Sequence, residues 1–552
     1  MLMDFQALFQ QFLSGDVAQQ ASTFRSLTIF APELILSGSI VLMLLGRLMS
    51  FDRLIPTHWI ALLGGMASFV VVLYQFWEFT QSHAAPVQVF TGLAMHDQFS
   101  VFFRGFLTFF LVFVIALTVL TGIPDDEDAP DFYSLLSGAV VGMMLMSSAN
   151  HLLMLFLGIE MASVPSYAMT GFLKGRRQSS EAALKFVVYG AGAAGVMLFG
   201  ISLLAGLLGT AEFPLLAQRF QAVFAGKTNL QEPAMRCLLL ALLMISVGFA
   251  FKLSIVPFHF WCPDAFHGAS AEVGGFLSIA SKAGAFALLV RFAMSLIGDS
   301  MGANSQLALM CGVGLGVLSI LSSTFGNLAA YSQRNMKRLL AYSTIAHAGY
   351  MLMAVSALLV LQSGKTDAEG VQRAVEGGQH AIEGLLYYLC VYLFMNLGAF
   401  AITALIRNQT FSEEIDDYKG LAQQSPVLAI CMAICLFSLV GIPPLGGFYG
   451  KAFIFAALYD ATRVHWFMWV VLVAGGLNTV ISLFYYLRVA KVMCIDTRPS
   501  EAPAVVMPAN ASPALYVMLV SGMVVFLGII VNPLSRVALL AARAFLPGDE
   551  IL

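Results

Sequence analysis

The chain has 552 residues, 59% of them hydrophobic and only 11% charged, with a mean hydropathy of +0.84; a soluble globular chain carries roughly 25% charged and 45–50% apolar residues. This argues against a soluble domain and for residence in a lipid bilayer. A net charge of -3 with scattered basic residues offers nucleic acid no patch to bind, and seven cysteines without a CxxC pair point to neither a zinc nor an iron–sulfur centre.

The N-terminal stretch MLMDFQALFQQFLSGD has acids and no basic region, so it reads as a short interfacial helix and not as a cleaved signal. Apolar runs long enough to cross about 30 Å of hydrocarbon follow it. They predict helices near 29–48, 58–78, 99–122, 132–148, 150–171, 182–209 and 235–260, then near 272–298, 306–328, 338–361, 384–406, 426–458, 466–488 and 513–534. The expected fold is therefore all-α, a polytopic membrane protein of about fourteen transmembrane helices. The acidic run PDDEDAPD at 124–131 and the hydrophilic insert QSGKTDAEGVQRAVEGGQH at 362–380 are expected to be solvated connections. Lys and Arg favour the loops after odd-numbered helices, among them Arg47, Lys174, Arg334, Lys337, Arg338 and Lys491. By the positive-inside rule those loops face the cytoplasm and both termini face away from it.

Five ionisable residues stand inside these apolar runs: Glu160 in LFLGIEMASVPSYAM, Lys185 in EAALKFVVYG, Lys252 in VGFAFKLSIVPFHFW, Lys282 in FLSIASKAGAFALL and Lys451 in GIPPLGGFYGKAFIF. Each charge at the centre of a spanning helix costs roughly 2.5 to 3.5 kcal/mol on insertion scales, so a set of four costs on the order of 10 kcal/mol. A set that expensive is expected to bind or relay ions, although a single member such as Lys185, close to a helix start, is equally readable as an anchoring device. Lysine suits proton relay because its affinity for a proton falls on desolvation and rises when a carboxylate approaches. Glu160 can be that carboxylate for Lys252, which would otherwise release its proton towards Lys282. His347 in the tenth helix reads either as a relay between Lys282 and Lys451 or as a hydrogen-bonded core residue. His259 and His267 are read as bland, and Tyr342, Ser343 and Asn396 as secondary polar sites.

Two of the helices are expected to be broken. Pro257 follows Lys252 by five positions, and Gly441, Pro443, Pro444, Gly446 and Gly447 precede Lys451; each weakens or removes backbone hydrogen bonds at membrane depth. Paired interrupted helices point to the ion site of an inverted-repeat transporter. The predicted organisation is three N-terminal helices over 1–128, a first five-helix repeat over 129–300, a second over 301–495, and a C-terminal helix over 496–552.

The segments GFAFKLSIVPFHFWCPDAFHGA and NMKRLLAYSTIAHAGYM resemble the seventh- and tenth-helix signatures of the antiporter-like, proton-pumping membrane subunits of respiratory complex I, which are similar to Mrp-type cation/proton antiporters. The resemblance runs from about residue 130 to 490. It implies fourteen helices, with repeats at helices four to eight and nine to thirteen, and a proton relay. Glu160 and Lys252 would form its gating pair, Lys282 its centre and Lys451 its exit, with Lys185 and His347 at further family positions. The M-type relatives carry a carboxylate where Lys451 stands, and the L type has a long lateral helix that the 18 residues after Leu534 cannot build. The N type of NADH:quinone oxidoreductase remains, at a length that looks bacterial and therefore in the inner membrane.

The resemblance further implies that NADH, FMN, iron–sulfur clusters and quinone belong to partner subunits and none to this chain, in which no phosphate-binding glycine motif appears. Expected partners are the M-type subunit and the small J- and K-type subunits. One departure concerns the loop after helix seven, HGASAEV, where the family pattern leads one to expect prolines; Glu272 takes the place of one and reads either as an added ionisable group near an ion path or, preferably, as a surface residue. Two other functions compete with this reading. One is an Mrp-type subunit exchanging Na+ or K+ for protons, and the other is a structural membrane subunit that no longer conducts, which would have no need for the full ionisable set.

Overall fold

The computed structural model describes residues 21–50, 55–82, 85–224, 232–298, 303–365, 368–498 and 505–547. The interfacial helix expected at the N-terminus lies outside them. The first described helix, α1 (Thr23–Ile29), is capped by the Ser22 hydroxyl and leads into α2 (Ala31–Leu48) and α3 (Thr57–Ser82). An antiparallel hairpin of β1 (Val87–Val89) and β2 (Ala94–His96) then precedes α4 (Gln98–Thr121), whose start is fixed by a reciprocal capping box between Asp97 and Ser100.

The chain continues through α5 (Ala129–Ser148), α6 (Leu152–Thr170), α7 (Arg177–Leu208) and a short amphipathic α8 (Phe213–Phe224). The predicted seventh helix is two pieces, α9 (Pro233–Leu253) and α10 (Trp261–Gly268), parted at Ser254 to Phe260. Next come α11 (Ala271–Ile297), α12 (Ala303–Ala330), α13 (Met336–Ser363) and the 43-residue α14 (Ala368–Thr410). After a short α15 (Leu421–Gln424), the predicted twelfth helix is also split, into α16 (Pro426–Val440) and α17 (Gly446–Thr462). The fold closes with α18 (Phe467–Cys494), α19 (Ser512–Ile529) and α20 (Asn532–Ala542). Among the described residues thirteen helices are long and apolar enough to cross a membrane, and the divided α16–α17 supplies a fourteenth crossing. Both breaks fall where proline and glycine led one to expect them.

The insert at 362–380 is not a solvated connection. Its residues from Ala368 onward form the first turns of α14, with Gly370, Ala374, Gly377 and Gly378 buried at helical spacing. Gly378 admits the C-terminal segment, since a Cβ there would stand 2.6 Å from a methyl of Leu546, and Gln379 donates to the Leu546 carbonyl at 2.7 Å; a Cβ on Gly377 would instead stand 3.1 Å from Leu361 of α13. The acidic run at 124–131 is half incorporated too, because α5 begins at Ala129, Asp131 pairs with Arg47, and Asp128 pairs with Lys174.

Helices α11, α13 and α14 are enclosed by the others, whereas α2, α7 and α18 turn large apolar side chains such as Leu42, Leu184 and Phe484 outward. A helix that is apolar around its whole circumference belongs in such an enclosure. Close backbone approach holds the row together. On α12 a Cβ at Gly326 would meet the Ala346 backbone nitrogen of α13 at 2.7 Å, the small-residue packing that lipid-embedded helices use where hydrophobic burial cannot drive association.

Candidate ion path through the enclosed helices

A helix that stops inside a bilayer leaves its last carbonyls without amide partners and carries negative partial charge at that end. Lysines supply the missing donors at both breaks. Lys282 of α11 donates to the Leu253 carbonyl, the end of α9, at 2.8 Å and to the Ser254 hydroxyl at 3.3 Å. Lys451 of α17 reaches back to the Leu439 and Val440 carbonyls, the end of α16, at 3.1 and 2.9 Å. Its ammonium also stands 4.4 Å over the ring of Tyr350, where the π-face attracts a cation. Lys252 sits in the last turn of α9 and donates to the Ser163 hydroxyl at 2.9 Å, while that hydroxyl itself donates to the Ile159 carbonyl. The three lysines are 2 to 3% exposed, and among the described residues their hydrogen-bond partners are neutral oxygens and none is in an ion pair.

Glu160 lies half-buried on α6, three residues before Ser163, and forms no ion pair with Lys252. The two remain electrostatic neighbours. Pro165, inside α6, cannot donate to the Met161 carbonyl, so the helix is loosened where Glu160 and Ser163 project. Lys185 is placed differently from the other lysines. Its side chain is 41% exposed and pairs with Asp264 at 2.8 Å and Glu181 at 2.9 Å. Asp264 also binds Arg338 at 2.9 Å, and with Gln178 and His267 these residues line a polar cavity of about 240 Å³ at the face where α7 and α13 begin.

His347 occupies the middle of the enclosed row. Its Nδ1 lies 2.6 Å from the Tyr388 hydroxyl and its Nε2 3.2 Å from that of Tyr486, which is in turn 2.5 Å from Ser343. Tyr388 packs against Gly450, next to Lys451, and Tyr392 donates to Thr344 at 3.1 Å beside the His347 ring. The histidine is within electrostatic reach of both Lys282 and Lys451. Relay and core readings of His347 therefore share one geometry: the ring is fully bonded, and its bonds run to hydroxyls that can pass a proton.

Residue-by-residue reading missed the tyrosines, since Tyr350, Tyr388, Tyr392 and Tyr486 resemble any aromatic in an apolar run. Their signal is a polar oxygen on a helix with no solvated side. It also missed the buried ion pairs that anchor the first helices. Arg104 and Glu33, both fully buried, pair at 2.6 Å, and Arg104 contacts His96 at 3.2 Å. Arg291 forks onto Asp97 with two bonds of 2.9 Å and donates to the Ser147 carbonyl at 2.8 Å. One expectation is corrected. Glu272 is not at the surface but 1% exposed, because the first turns of α11 are covered, with Gly274 and Gly275 set against Phe400 of α14. His259 packs at a tilt against Phe260 and edge-on against Phe325, and His267 is half-buried beside the Asp264 cavity. Asn396 donates to Ser278 at 2.5 Å, and Tyr342 is half-buried. Among the described residues no group of three or more His, Cys, Asp or Glu side chains could hold a metal ion.

The chain matches the family model described as NADH:quinone oxidoreductase/Mrp antiporter, transmembrane, over residues 149–364 and 371–482. It is 39% identical over 430 residues to the NADH-quinone oxidoreductase subunit N of Anaeromyxobacter sp. (strain Fw109-5), covering 76% of this chain and 78% of that one. Among solved structures it resembles a chain of respiratory complex I from Thermus thermophilus with bound aureothin, with a TM-score of 0.68, 27% identity and coverage of 92% and 98% of the two chains. A chain of the Mrp complex from Dietzia sp. DQ12-45-1b shares the fold, with a TM-score of 0.75 at 17% identity over 94% and 98%.

Proposed function

Because this chain belongs to the membrane-subunit family shared by NADH:quinone oxidoreductases and Mrp antiporters, we propose that it is the N-type subunit of a bacterial complex I and moves protons through the row Glu160, Lys252, Lys282, His347 and Lys451. The observation that carries the residue assignment is the partner set of the three buried lysines, which are neutral oxygens throughout. A lysine held by a carboxylate keeps its proton. One held by hydroxyls and carbonyls can give it up once a neighbouring charge changes.

Glu160 and Ser163 offer Lys252 two alternatives on adjacent turns of α6. With the ammonium on Ser163, as here, the proton is loosely kept; with the ammonium on Glu160 it is held. Moving Lys252 between them raises or lowers the positive charge felt at Lys282, whose own partners lie on the two residues that follow Lys252. From Lys282 the hydroxyls around His347 lead to Lys451. Lys185, with Asp264 and Arg338, collects protons at the polar cavity. Each charge moved works against roughly 2.3 kcal/mol per 100 mV of membrane potential, so the driving change comes from other subunits of the complex.

In this reading helices four to eight and nine to thirteen form the two repeats, and the protein sits in the bacterial inner membrane with both termini on the non-cytoplasmic side. The M-type subunit and the small J- and K-type subunits are its neighbours. They and the remaining subunits hold NADH, FMN, the iron–sulfur clusters and quinone.

The test is NADH-driven proton pumping in membrane vesicles with Lys252→Ala and Glu160→Ala, at matched amounts of assembled complex. Pumping is expected to fall about tenfold or more in each, a barrier change of roughly 1.4 kcal/mol or above. Normal pumping in both would leave a structural subunit as the better reading. Pumping that appears only with a sodium gradient would favour cation exchange.

A further inference from the structure

Glu272 stands in the first turn of α11, at the face where α11 and α13 both begin. It is 1% exposed, and neither carboxyl oxygen has a hydrogen-bond partner among the described residues. Buried polar atoms nearly always bond to protein or to ordered water, and a carboxyl group left dry costs several kcal/mol. The cation within electrostatic reach, Lys337, is already committed. Lys337 donates to the Ala269 carbonyl at 2.6 Å and pairs with Glu413 at 2.8 Å, while Arg407 shares Glu413 at 3.6 Å. Glu272 is therefore not retained as half of an ion pair.

Further along α11, at spacings of three, three and four residues, come Gly275, Ser278 and Lys282, on the side of the helix that meets α14. Across that seam Asn396 donates to Ser278 at 2.5 Å, and its own Oδ1 is a second buried acceptor without a partner. Between the two unpartnered acceptors lies the Phe400 ring, against Gly274 and Gly275. Two unpartnered acceptors thus stand along α11 between its buried first turn and one turn short of Lys282, with Phe400 and Leu397 packed against the glycines between them.

We propose that Glu272 is the proton-collecting carboxyl of an access route to Lys282, along the α11–α14 seam past Asn396 and Ser278, with Phe400 across it. The inference rests on the reading of Lys282 as a relay. In the step itself the Glu272 carboxylate takes a proton from the aqueous face and passes it to water bonded to Asn396 Oδ1 and Ser278. The neutral Lys282 amine accepts it, and Glu272 is left as a carboxylate to be reloaded. Lys337 on α13, Arg407 on α14, Glu413 after α14 and His267 on α10 are the titratable and charged groups of this corner, and they hold its charge balanced while Glu272 cycles.

The experiment uses the assembled complex in inverted vesicles, with pumping and NADH:quinone turnover followed against external pH for the parent, Glu272→Gln, Glu272→Asp and Lys252→Ala. Glu272→Gln is expected to slow pumping several-fold and to bring the alkaline fall of the pH profile to lower pH, with Glu272→Asp restoring most of both. A parental rate and profile in Glu272→Gln beside an inactive Lys252→Ala would overturn the Glu272 assignment alone. Normal pumping in Lys252→Ala would overturn the relay and this route with it. Should Glu272→Gln fail to assemble, Asn396→Leu interrupts the same route from α14: the same slowing and profile shift support it, and parental behaviour refutes it.

Discussion

The ion pairs anchored at the helices before residue 128 and the lysines gathered at the two helix breaks bury charge in opposite ways. Among the described residues Arg104 is matched in the first group by Glu33, and Asp97, at the start of α4, is matched on both oxygens by Arg291 reaching across from α11. In the second, Lys252, Lys282 and Lys451 are as deeply buried but hold only hydroxyls and carbonyls. A matched pair fixes both protonation states and ties distant helices together. An unmatched lysine at the end of a broken helix is stabilised by the helix dipole yet keeps two accessible charge states. The contrast separates charges that build from charges that can move.

The largest effect is expected where a matched pair is halved. Arg104→Ala leaves Glu33 buried and uncompensated, and breaking such a pair typically costs about 3 to 5 kcal/mol. The amount of assembled complex and its thermal midpoint in detergent should both drop, with activity falling in proportion. If instead assembly is normal and pumping alone is lost, Arg104 belongs with the conducting charges and the contrast fails.

A smaller, cleaner effect is expected in the row. Tyr388→Phe removes the hydroxyl at 2.6 Å from His347 and leaves the bond to Tyr486 in place. Losing one buried hydrogen bond costs roughly 0.5 to 1.5 kcal/mol, which corresponds to a few-fold to about tenfold slowing if that bond carries the proton. Stability should hardly change. A matched drop in assembly and pumping would make Tyr388 a packing residue.

The division between what could and could not be read from the chain follows the same line. Apolar runs gave the crossings, and Pro257 and the Gly441–Gly447 cluster gave both breaks, because backbone chemistry is local. Lys252, Lys282 and Lys451 were legible as misplaced charges. Their partners were not: Ser163 lies 89 positions from Lys252, and the carbonyls that receive Lys282 exist as acceptors only once α9 has ended. Glu33 and Arg104, 71 positions apart, each looked like an isolated charge in an apolar run. The start of α14 reads as a solvated connection because the insert is hydrophilic, whereas in the fold the missing side chain of Gly378 is what lets Leu546 approach. Glu272 was misjudged for a related reason, since nothing in HGASAEV shows that the turn it begins is covered.

The smallest effect is expected when a matched pair is replaced whole. Changing Glu33→Leu together with Arg104→Met removes both charges while keeping similar volume, and such exchanges are often neutral or stabilising. Glu33 Oε2 and Arg104 Nη2 already lack partners, so the pair has unmet desolvation to recover, against which His96 loses one contact. Assembly and thermal midpoint should return close to the parent, within about 1 kcal/mol, and pumping should be intact. The outcome bears on the whole contrast. Charges that only build can be exchanged for apolar packing, whereas no apolar residue can stand in for Lys282. A double variant that assembles fully yet does not pump would place the first helices on the proton's route after all.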